Sequence, residues 1–388
     1  MSKQSFRELG VSPPIVDALA ARAIHSPFPI QERALPDALA GLDVLVRSPT
    51  GSGKTLAFAL PIVKRTMPSD TRPSALVLVP TRELAAQVCA ELEPLARVEG
   101  LSVAVAYGGL PLRAQAKRAK SAQILVATPG RLEDLAERRL VDLAGVRTFV
   151  LDEADRMLDM GFKPQVDRIV RRLPRNRQTM FFSATLDGEA GRLARAYTNS
   201  PSHFEAEGVR DEPADIEHRF VPVTQDSKVE TLVEHLRGSY STLVFVRTKR
   251  GADRLVTKLA RHGVKAAAMH GDMSQNARQR ALKQFESGKV GVLVATDVAA
   301  RGLDLDDITH VINFDPPEED KGYVHRTGRT GRAGRSGTAI TLVLPDQQAD
   351  TSRVARRLGH TEQFEQGGLR SARPKLLYTS RRGRRSKW

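Results

Sequence analysis

Short apolar runs recur along the whole chain, and each is followed by a turn signal and a stretch of helical composition. The runs are rich in Val, Ile and Leu and lack polar alternation, which indicates strands covered on both faces, as in parallel sheets. In the first half they are Asp43–Val46, Ala75–Val79, Val103–Tyr107, Ile124–Ala127, Thr148–Leu151 and Met180–Phe182. In the second half they are Thr242–Val246, Ala266–Met269, Gly291–Ala295, His310–Asn313 and Ala339–Leu344. This alternation predicts an α/β fold with doubly wound parallel sheets.

The repetition of this pattern, together with a length of 388 residues, predicts two domains. The polar stretch Ala206–Ile216 separates the two sets of runs and is predicted to be a linker. The expected regions are an N-terminal domain over residues 1–207, a linker over 208–216, a C-terminal domain over 217–345 and a C-terminal extension over 346–388. The basic, glycine-containing segment after Gln366 is predicted to be a flexible tail.

The charge of the chain favours a polyanionic partner. It carries 60 Lys and Arg residues against 45 Asp and Glu, a net charge of +15, which points to nucleic acid first and an anionic membrane second. The segment Gln366–Trp388 holds eight basic residues and no acidic one. This tail is expected to tether nucleic acid without sequence preference, the alternative being a role in solubility alone. A membrane role is disfavoured because the apolar segment Leu376–Tyr378 is too short for an amphipathic face.

The number of cysteines and the length of the apolar segments indicate the cellular compartment in which the protein is expected. Cys89 is the only cysteine, so the chain cannot form an internal disulfide. No apolar run approaches the ~20 residues that a membrane helix needs, and Met1–Gly10 has no apolar stretch typical of a secretory signal. We therefore expect a cytoplasmic protein.

The first run leads into a glycine-rich turn and then a helical stretch, the arrangement that a phosphate-binding loop requires. The turn reads Ser48-Pro49-Thr50-Gly51-Ser52-Gly53-Lys54-Thr55. Residues Thr50, Gly51, Ser52 and Gly53 are expected to turn backbone N–H groups toward phosphate oxygens. Lys54 can reach the β- and γ-phosphates, and the Thr55 hydroxyl can bind Mg²⁺. Ser48 departs from the usual glycine, and the alternative interpretation is a glycine-rich turn with a surface lysine.

A second run, Thr148–Leu151, ends in the carboxylates Asp152 and Glu153. Acids at the carboxyl end of a buried strand lie where α/β proteins bind ligands. Asp152 suits a role in holding Mg²⁺ through its water shell, and Glu153 suits a role in orienting the attacking water. The alternative is a solvated helix start. Together with the glycine-rich turn, the pair predicts an NTPase, a class shared by GTPases, transporters and DNA motors.

With the next two residues, the carboxylate pair forms the motif Asp152-Glu153-Ala154-Asp155. The chain resembles the DEAD-box RNA helicases from roughly Phe6 to Leu344. In the first half the resemblance rests on Pro80-Thr81-Arg82-Glu83-Leu84-Ala85, Gly108-Gly109, Thr128-Pro129-Gly130-Arg131 and Ser183-Ala184-Thr185. In the second half it rests on Val244-Phe245-Val246-Arg247-Thr248, Ala295-Thr296-Asp297, Arg301-Gly302-Leu303-Asp304 and His325-Arg326-Thr327-Gly328-Arg329-Thr330-Gly331-Arg332. All of these motifs occur in the order of the family.

The resemblance implies two tandem RecA-like domains with ATP between them and RNA across both. It implies that Gln31 reads the adenine edge, that Phe6 stacks on the base and that Asp304 accepts hydrogen bonds from the ribose. The alternatives are a core aromatic at Phe6 and a capping or surface amide at Gln31. The chain departs from the family at Ile24, where an aromatic is common, and at Phe28, where threonine is common.

For the second half, the resemblance implies that Arg329 and Arg332 act as arginine fingers on the phosphates, with His325 in the same interdomain network. The alternative is a pair of arginines in a basic RNA-binding loop. The predicted RNA contacts are Arg82, Gly109, Thr128, Gly130, Arg131 and Thr296, and the predicted coupling residues are Asp155, Ser183 and Thr185. Because these contacts go to phosphates and 2′-hydroxyls, binding is expected to be independent of base sequence.

The expected function is that of an ATP-dependent RNA helicase that uses ATP and Mg²⁺ and resembles the compact bacterial RhlE-type subgroup. An ATP-gated RNA clamp or assembly scaffold with little unwinding is the main alternative, since the same motifs serve both. A catalytically dead relic and a DNA helicase are disfavoured. Ribosomal particles and RNA-decay proteins are possible partners, with a monomer as the default.

Overall fold

The structure is a computed structural model that describes residues 4–48, 53–186, 188–205, 216–300, 305, 308–331 and 336–371. These residues form two compact units: the first comprises the chain up to residue 213 together with residues 273–278 and 299–305, and the second comprises the rest. Each unit is built on a fully parallel sheet flanked by helices, which confirms the predicted α/β fold class. Within the described ranges, no helix has the length and apolar composition needed to cross a membrane.

The first unit contains the strands β1 (Val44–Arg47), β2 (Ala75–Leu78), β3 (Val103–Ala106), β4 (Ile124–Ala127), β5 (Thr148–Leu151), β6 (Gln178–Ser183) and β7 (Ser202–Glu205). Its helices are α1 (Pro13–Ala20), α2 (Pro29–Ala40), α3 (Lys54–Arg65), α4 (Arg82–Val98), α5 (Leu112–Ser121), α6 (Pro129–Glu137), α7 (Ala154–Asp159), α8 (Lys163–Val170) and α9 (Gly188–Tyr197). The strand order across the sheet is β3-β4-β2-β5-β6-β1-β7.

Each face of this sheet covers its own hydrophobic core. Along β1, Val44 and Val46 belong to one core cluster, whereas Leu45 belongs to the other. Successive side chains of a strand point to opposite faces, so a strand buried on both faces must be apolar throughout. This requirement explains why the central strands were recognisable as uninterrupted apolar runs.

The chain after residue 216 contains the strands β8 (Ile216–Pro222), β9 (Thr242–Phe245), β10 (Ala266–Met269), β11 (Val292–Ala295), β12 (His310–Asn313) and β13 (Gly337–Val343). Its helices are α10 (Lys228–Leu236), α11 (Lys249–Arg261), α12 (Gln275–Glu286), α13 (Asp297–Ala300), α14 (Asp320–Thr327), α15 (Gln348–Arg357) and α16 (Thr361–Gln366). The strand order is β10-β11-β9-β12-β13-β8.

Two strands lie outside the predicted set, and both are edge strands. In β7 and in the first half of β8, exposed residues alternate with partly buried ones, because one face of each strand meets solvent. Neither strand therefore contains an apolar run. The linker predicted over 208–216 was wrong at its last residue, because Ile216 begins β8; the rest of it lies outside the described residues.

Threonine caps begin a helix after equivalent strands of the two units. The Thr81 hydroxyl accepts a hydrogen bond from the Leu84 N–H (3.3 Å) at the start of α4, which follows β2. The Thr248 hydroxyl accepts one from the Gly251 N–H (3.0 Å) at the start of α11, which follows β9. Each cap satisfies one of the backbone donors that a helix start leaves unpaired.

The C-terminal extension is folded at least as far as Leu369. Phe364 of α16 packs edge-on against Phe220 of β8, with ring centroids 5.3 Å apart, and Leu369 is buried in the same cluster. The prediction that a flexible tail begins directly after Gln366 therefore placed the start of the tail too early in the chain. Residues 372–388, which carry most of the predicted tail, lie outside the described residues.

The extension also holds helix α14. Arg357 of α15 forms a two-point ion pair with Asp320 of α14, at 2.6 and 2.8 Å. The Tyr323 hydroxyl of α14 lies 2.8 Å from Nδ1 of His218, whose ring stacks on His360 with centroids 3.9 Å apart. Burial and the neighbouring His360 lower the pKa of His218 to about 4.

The lowered pKa of His218 predicts that the second unit becomes less stable in acid. Between pH 6.5 and about 4, the unfolded chain binds a proton at His218 that the folded chain does not bind, so the free energy of unfolding falls as pH falls through this window. We expect a smaller loss of melting temperature between pH 7.5 and 5 for His218→Asn, measured by calorimetry. The exposed His262→Asn is the control; equal losses in wild type and His218→Asn would contradict the prediction.

Candidate nucleotide and RNA sites

The carboxyl ends of β1, β5 and β6 bring the predicted nucleotide residues together. These strands are neighbours in the order β5-β6-β1, and parallel strands present their carboxyl ends at one edge of a sheet. The Ser48 N–H, just after β1, donates to the Ser183 carbonyl at the end of β6 (2.9 Å). The edge thus places the start of α3 beside Asp152 and Glu153.

Lys54 is a buried cation between two carboxylates. Its Nζ lies 3.0 Å from Oδ1 of Asp152 and 3.7 Å from Oε1 of Glu153. Burial by itself lowers the pKa of the Lys54 ammonium, but the adjacent carboxylates outweigh burial and raise it. Lys54 is therefore charged. It is the first residue of α3 and directly follows Gly53, which has the left-handed conformation (φ 78°).

Asp152 has one engaged oxygen and one unpartnered oxygen. The side chain is fully buried, and Oδ1 accepts a hydrogen bond from the Glu153 N–H (2.8 Å). No donor among the described residues reaches the buried Oδ2. Burial raises the pKa of Asp152, against the lowering effect of Lys54, so a cation near Oδ2 would favour the ionised form. An unsatisfied carboxylate oxygen fits the hard oxygen ligands that Mg²⁺ prefers, and Thr55, the other predicted Mg²⁺ ligand, is the second residue of α3.

Glu153 is held by its backbone and by a second cation. It adopts a left-handed conformation (φ 53°), which is uncommon for residues other than glycine. Nη1 of Arg156 lies 2.7 Å from Oε2 of Glu153. Sequence analysis did not identify Arg156. The signal that could have found it is the three-residue spacing from Glu153, which places the two side chains on one face of a helix. Two buried carboxylates are thus matched by two cations.

The predicted base-recognition residues are both buried. Gln31 donates from Nε2 to the Gly53 carbonyl (2.6 Å) and accepts at Oε1 from the Phe28 N–H (3.0 Å). Its amide therefore joins the start of α2 to the residue before α3. Phe6 is 2% exposed within a core cluster, so its ring presents no face to a ligand in this structure. The roles of both residues in base binding stay predictions.

The predicted coupling residues contact one another at the end of β6. The Asp155 N–H donates to the Ser183 hydroxyl (3.3 Å), and that hydroxyl donates to the Thr185 carbonyl (2.6 Å). The start of α7 is thereby connected to the loop that follows β6. This geometry ties the segment carrying Glu153 to a neighbouring strand, while the coupling role itself stays a prediction.

The predicted RNA contacts of the first unit lie at the carboxyl ends of β2, β3 and β4, which we call the RNA edge. A Cβ atom on Gly109 would lie 2.5 Å from Nη1 of Arg82, so a side chain at this position would displace the Arg82 guanidinium. Nη1 of Arg131 donates to the Leu110 carbonyl (3.0 Å) and to Oε1 of Gln115 (2.8 Å). Arg82 and Arg131 thus both meet the loop after β3.

Two further predicted RNA contacts, Thr128 and Gly130, follow β4 directly. Thr128 precedes the first residue of α6, and its side chain makes no capping hydrogen bond. No heavy atom of the described residues lies within 4 Å of a Cβ built on Gly130, so this backbone is open to a ligand. The start of α6 can therefore offer backbone N–H groups to a phosphate.

In the second unit, Thr296 follows β11, His325 lies on α14, and Arg329 follows α14 with its Nε donating to the His325 carbonyl (3.4 Å). The predicted site residues Thr50, Gly51, Ser52, Asp304 and Arg332 lie outside the described residues.

Arg326 is a buried residue to which sequence analysis gave no role. It pairs with both carboxylate oxygens of Asp297 (2.6 and 2.8 Å), and Nη1 donates to Oδ1 of Asn313 (3.0 Å) and to the Asp315 carbonyl (2.7 Å). The guanidinium therefore fixes α14 to the carboxyl ends of β11 and β12. Its sequence signal was its place between His325 and the predicted arginine fingers.

Comparisons with known proteins agree with this geometry. The family model described as DEAD/DEAH box helicase matches residues 28–193, and that described as Helicase conserved C-terminal domain matches residues 227–334. The DEAD-box ATP-dependent RNA helicase CshA of Streptococcus pneumoniae is 42% identical over 345 residues, and the ATP-dependent RNA helicase CshA of Listeria monocytogenes is 41% identical over 343 residues. Each alignment covers 88% of this chain and 66% of the relative, so the chain spans just under two thirds of their length.

Two solved structures share the fold. S. cerevisiae Dbp5 bound to RNA and ADP BeF3 superposes with a TM-score of 0.80 and 32% identity, covering 92% of this chain and 94% of Dbp5. Mss116p bound to ssRNA and AMP-PNP superposes with a TM-score of 0.77 and 26% identity, covering 92% and 78% of the two chains. These matches confirm the predicted RecA-like sheets. With both family models matched in order and a relative of 32% identity covered almost throughout, the chain belongs to the DEAD/DEAH box helicase family.

Proposed function

We propose that this protein is an ATP-dependent RNA helicase that hydrolyses ATP when RNA is bound. The observation that carries the proposal is the buried cluster of Lys54, Asp152 and Glu153 at the sheet edge, with one oxygen of Asp152 unpartnered. Relatives whose names state this activity, and a Dbp5 structure whose title states RNA and ADP BeF3, support the same assignment.

Binding of a nucleotide would change the partners of Lys54. A triphosphate carries more negative charge than the two carboxylates, and the start of α3 favours anions. Lys54 would then move from the carboxylates toward the β- and γ-phosphates. Mg²⁺, held by Asp152 and the Thr55 hydroxyl, would neutralise charge on the phosphate oxygens. The ion pairs described above would thus balance the charge of the two carboxylates until ATP binds.

Release of Lys54 would remove one of the cations that pair with the Glu153 carboxylate. Arg156 still holds Oε2, and the carboxylate would orient and polarise the water that attacks the γ-phosphate. Arg329 and Arg332 would stabilise the transferred phosphoryl group, since planar permanent charges suit that role. In this cycle the two units close on ATP and RNA, and hydrolysis removes the interactions that favour closure.

RNA would bind along the RNA edge through its sugar–phosphate backbone. Arg82 and Arg131 supply charge, whereas the open backbone at Gly130 supplies N–H donors. Such contacts are independent of base sequence. Closure that bends one strand would separate short duplexes or remodel ribonucleoproteins. An ATP-gated RNA clamp is the second candidate, and parallel strand-displacement and ATP-dependent RNA-retention assays distinguish the two.

The Glu153→Gln substitution tests the catalytic assignment. It keeps the shape of the side chain but removes the charge that polarises water, so we expect RNA-stimulated ATP hydrolysis to fall about 10²-fold or more. ATP-dependent RNA retention should last longer because closure no longer ends in hydrolysis. Phosphate release and RNA dissociation are the measurements, with the exposed Glu137→Gln as control. If Glu153→Gln hydrolyses ATP and releases RNA at the wild-type rates, the assignment of Glu153 is contradicted.

The Gly109→Ala substitution tests the RNA edge. A methyl group there would meet the Arg82 guanidinium and strain a left-handed backbone (φ 89°), so we expect RNA affinity to fall about 10-fold. Gly100→Ala is a matched control, because Gly100 also has a positive φ (70°) but its nearest neighbour is Pro68 at 3.8 Å. Fluorescence anisotropy with labelled single-stranded RNA measures both. Equal affinities of the two variants would contradict the assignment.

A further inference from the structure

Helix α5 (Leu112–Ser121) begins at the RNA edge. It follows β3 and the loop that contains Gly109, and Oε1 of its residue Gln115 accepts a hydrogen bond from Nη1 of Arg131 (2.8 Å). Nε2 of Gln115 donates to the carbonyl of Tyr107, the residue just after β3 (3.0 Å). The buried Gln115 amide therefore fixes the first turn of α5 to the end of β3 and to a predicted RNA contact.

Beyond β3, the next surface of the first unit is α5. The strand order runs β3-β4-β2-β5-β6-β1-β7, so β3 is the outermost strand of the RNA edge. α5 connects β3 to β4, and its buried residues Ala116 and Ala119 belong to the same core cluster as Ala104 of β3. A polymer that crosses the ends of β2, β4 and β3 in that order therefore leaves the sheet beside α5.

The exposed side of α5 carries only positive charge. No acidic residue occurs between Glu99 and Glu133 in the sequence, and four of the ten residues of α5 are basic. Within the described part of the chain, none of these four side chains forms an ion pair. All four are exposed: Arg113, Lys117, Arg118 and Lys120. Unbalanced charge of this kind suits a polyanion.

Other helices with several basic residues carry acids that balance part of their charge. In α8, Nζ of Lys163 lies 3.2 Å from a carboxylate oxygen of Asp167. In α15, Arg357 pairs with Asp320 of α14 at 2.6 Å. The unpaired charge of α5 is therefore not a general property of the basic helices of this protein.

Three of the four cations lie on one face of the helix, which we call the α5 stripe. Lys117 follows Arg113 by four residues and Lys120 follows Lys117 by three, and these spacings place side chains on one helix face. Arg118 lies about 100° further round the helix than Lys117. A helix of ten residues is about 15 Å long, so the stripe has room for several phosphates of one strand.

We propose that the α5 stripe extends the RNA edge, so that a single RNA strand held at the ends of β2, β4 and β3 continues along α5. The proposal rests on the proposed function, because it concerns the same RNA. α5 contains no aromatic residue, so the stripe holds phosphates rather than stacked bases. Lysine and arginine bind phosphates without reading bases, so the extension adds affinity and salt dependence but no base specificity.

Removing two charges from the stripe tests the extension. The double variant Lys117→Gln/Lys120→Gln loses two cations, while glutamine keeps a high helix propensity. The matched control is Arg192→Gln/Arg195→Gln, since these exposed arginines are also three residues apart on a helix of the first unit, α9, which follows β6 rather than a strand of the RNA edge. Both double variants should melt at the wild-type temperature because all four side chains are exposed.

Fluorescence anisotropy with the full-length chain and a non-hydrolysable ATP analogue compares single-stranded RNAs of about 6 and about 20 nucleotides. We expect Lys117→Gln/Lys120→Gln to bind the longer RNA about 10-fold more weakly and the shorter RNA as wild type does, because only the longer RNA reaches α5. For the longer RNA, the slope of log affinity against log salt should become shallower by about 1.4, since each phosphate contact of a single strand contributes about 0.7. The control should match wild type with both RNAs.

Three results would overturn the extension. They are a wild-type affinity of Lys117→Gln/Lys120→Gln for the longer RNA, an equal loss of affinity in the control, and an equal loss for the two RNA lengths. Failure of the wild-type protein to bind either RNA would instead overturn the proposed function, so the two failures are distinguishable.

Discussion

The charge balance around Lys54 is the interaction on which the candidate site depends. Two buried carboxylates, the buried Lys54 and the partly buried Arg156 lie at the edge of one sheet, and burying a carboxylate without its cation would carry a large desolvation cost. Distances of 2.7–3.7 Å pair the opposite charges, while Oδ2 of Asp152 and Nη2 of Arg156 have no hydrogen-bond partner among the described residues. This arrangement of charges supports the proposed binding of a ligand that brings its own negative charge and a cation.

The order of the strands separates this cluster from the RNA edge. The nucleotide residues follow β5, β6 and β1, whereas the predicted RNA contacts follow β3, β4 and β2. The two halves of the same sheet edge meet where β2 pairs with β5. A parallel sheet places all of these loops on one side, and its register fixes their spacing. The hydrogen bonds of Ser183 connect the segment carrying Glu153 to the next strand of the nucleotide half.

The second unit also contains a buried cation, Arg326, that pairs with a carboxylate at the carboxyl ends of its strands. This buried guanidinium donates four hydrogen bonds at the carboxyl ends of β11 and β12, and it fixes the helix that precedes Arg329. The C-terminal extension holds the same helix through the ion pair of Arg357 with Asp320, and β8 contacts it where His218 meets Tyr323. The extension is therefore part of the folded unit that carries the predicted arginine finger.

Much of the fold was predictable because the central strands are buried on both faces. The central runs Ile124–Ala127, Thr148–Leu151 and His310–Asn313 were predicted with the bounds that the structure has, and so was the edge strand Ala266–Met269, which is apolar throughout. The edge strands β7 and β8 were missed because one half-exposed face removes the apolar signal. The sequence by itself also determined which loops carry the site, since Lys54 and Asp152 each follow such a strand.

Tertiary structure alone decided how the side chains in those loops pair. Gln31 and Gly53 are 22 residues apart, and their contact depends on the packing of α2 against α3. The same packing puts the Phe28 ring on Gly53 and leaves Ile24 against the core. Local sequence determines strands, turns and caps because those depend on near neighbours. The partner of a buried amide or an exposed ring depends on distant segments, so it becomes definite only when the helices pack.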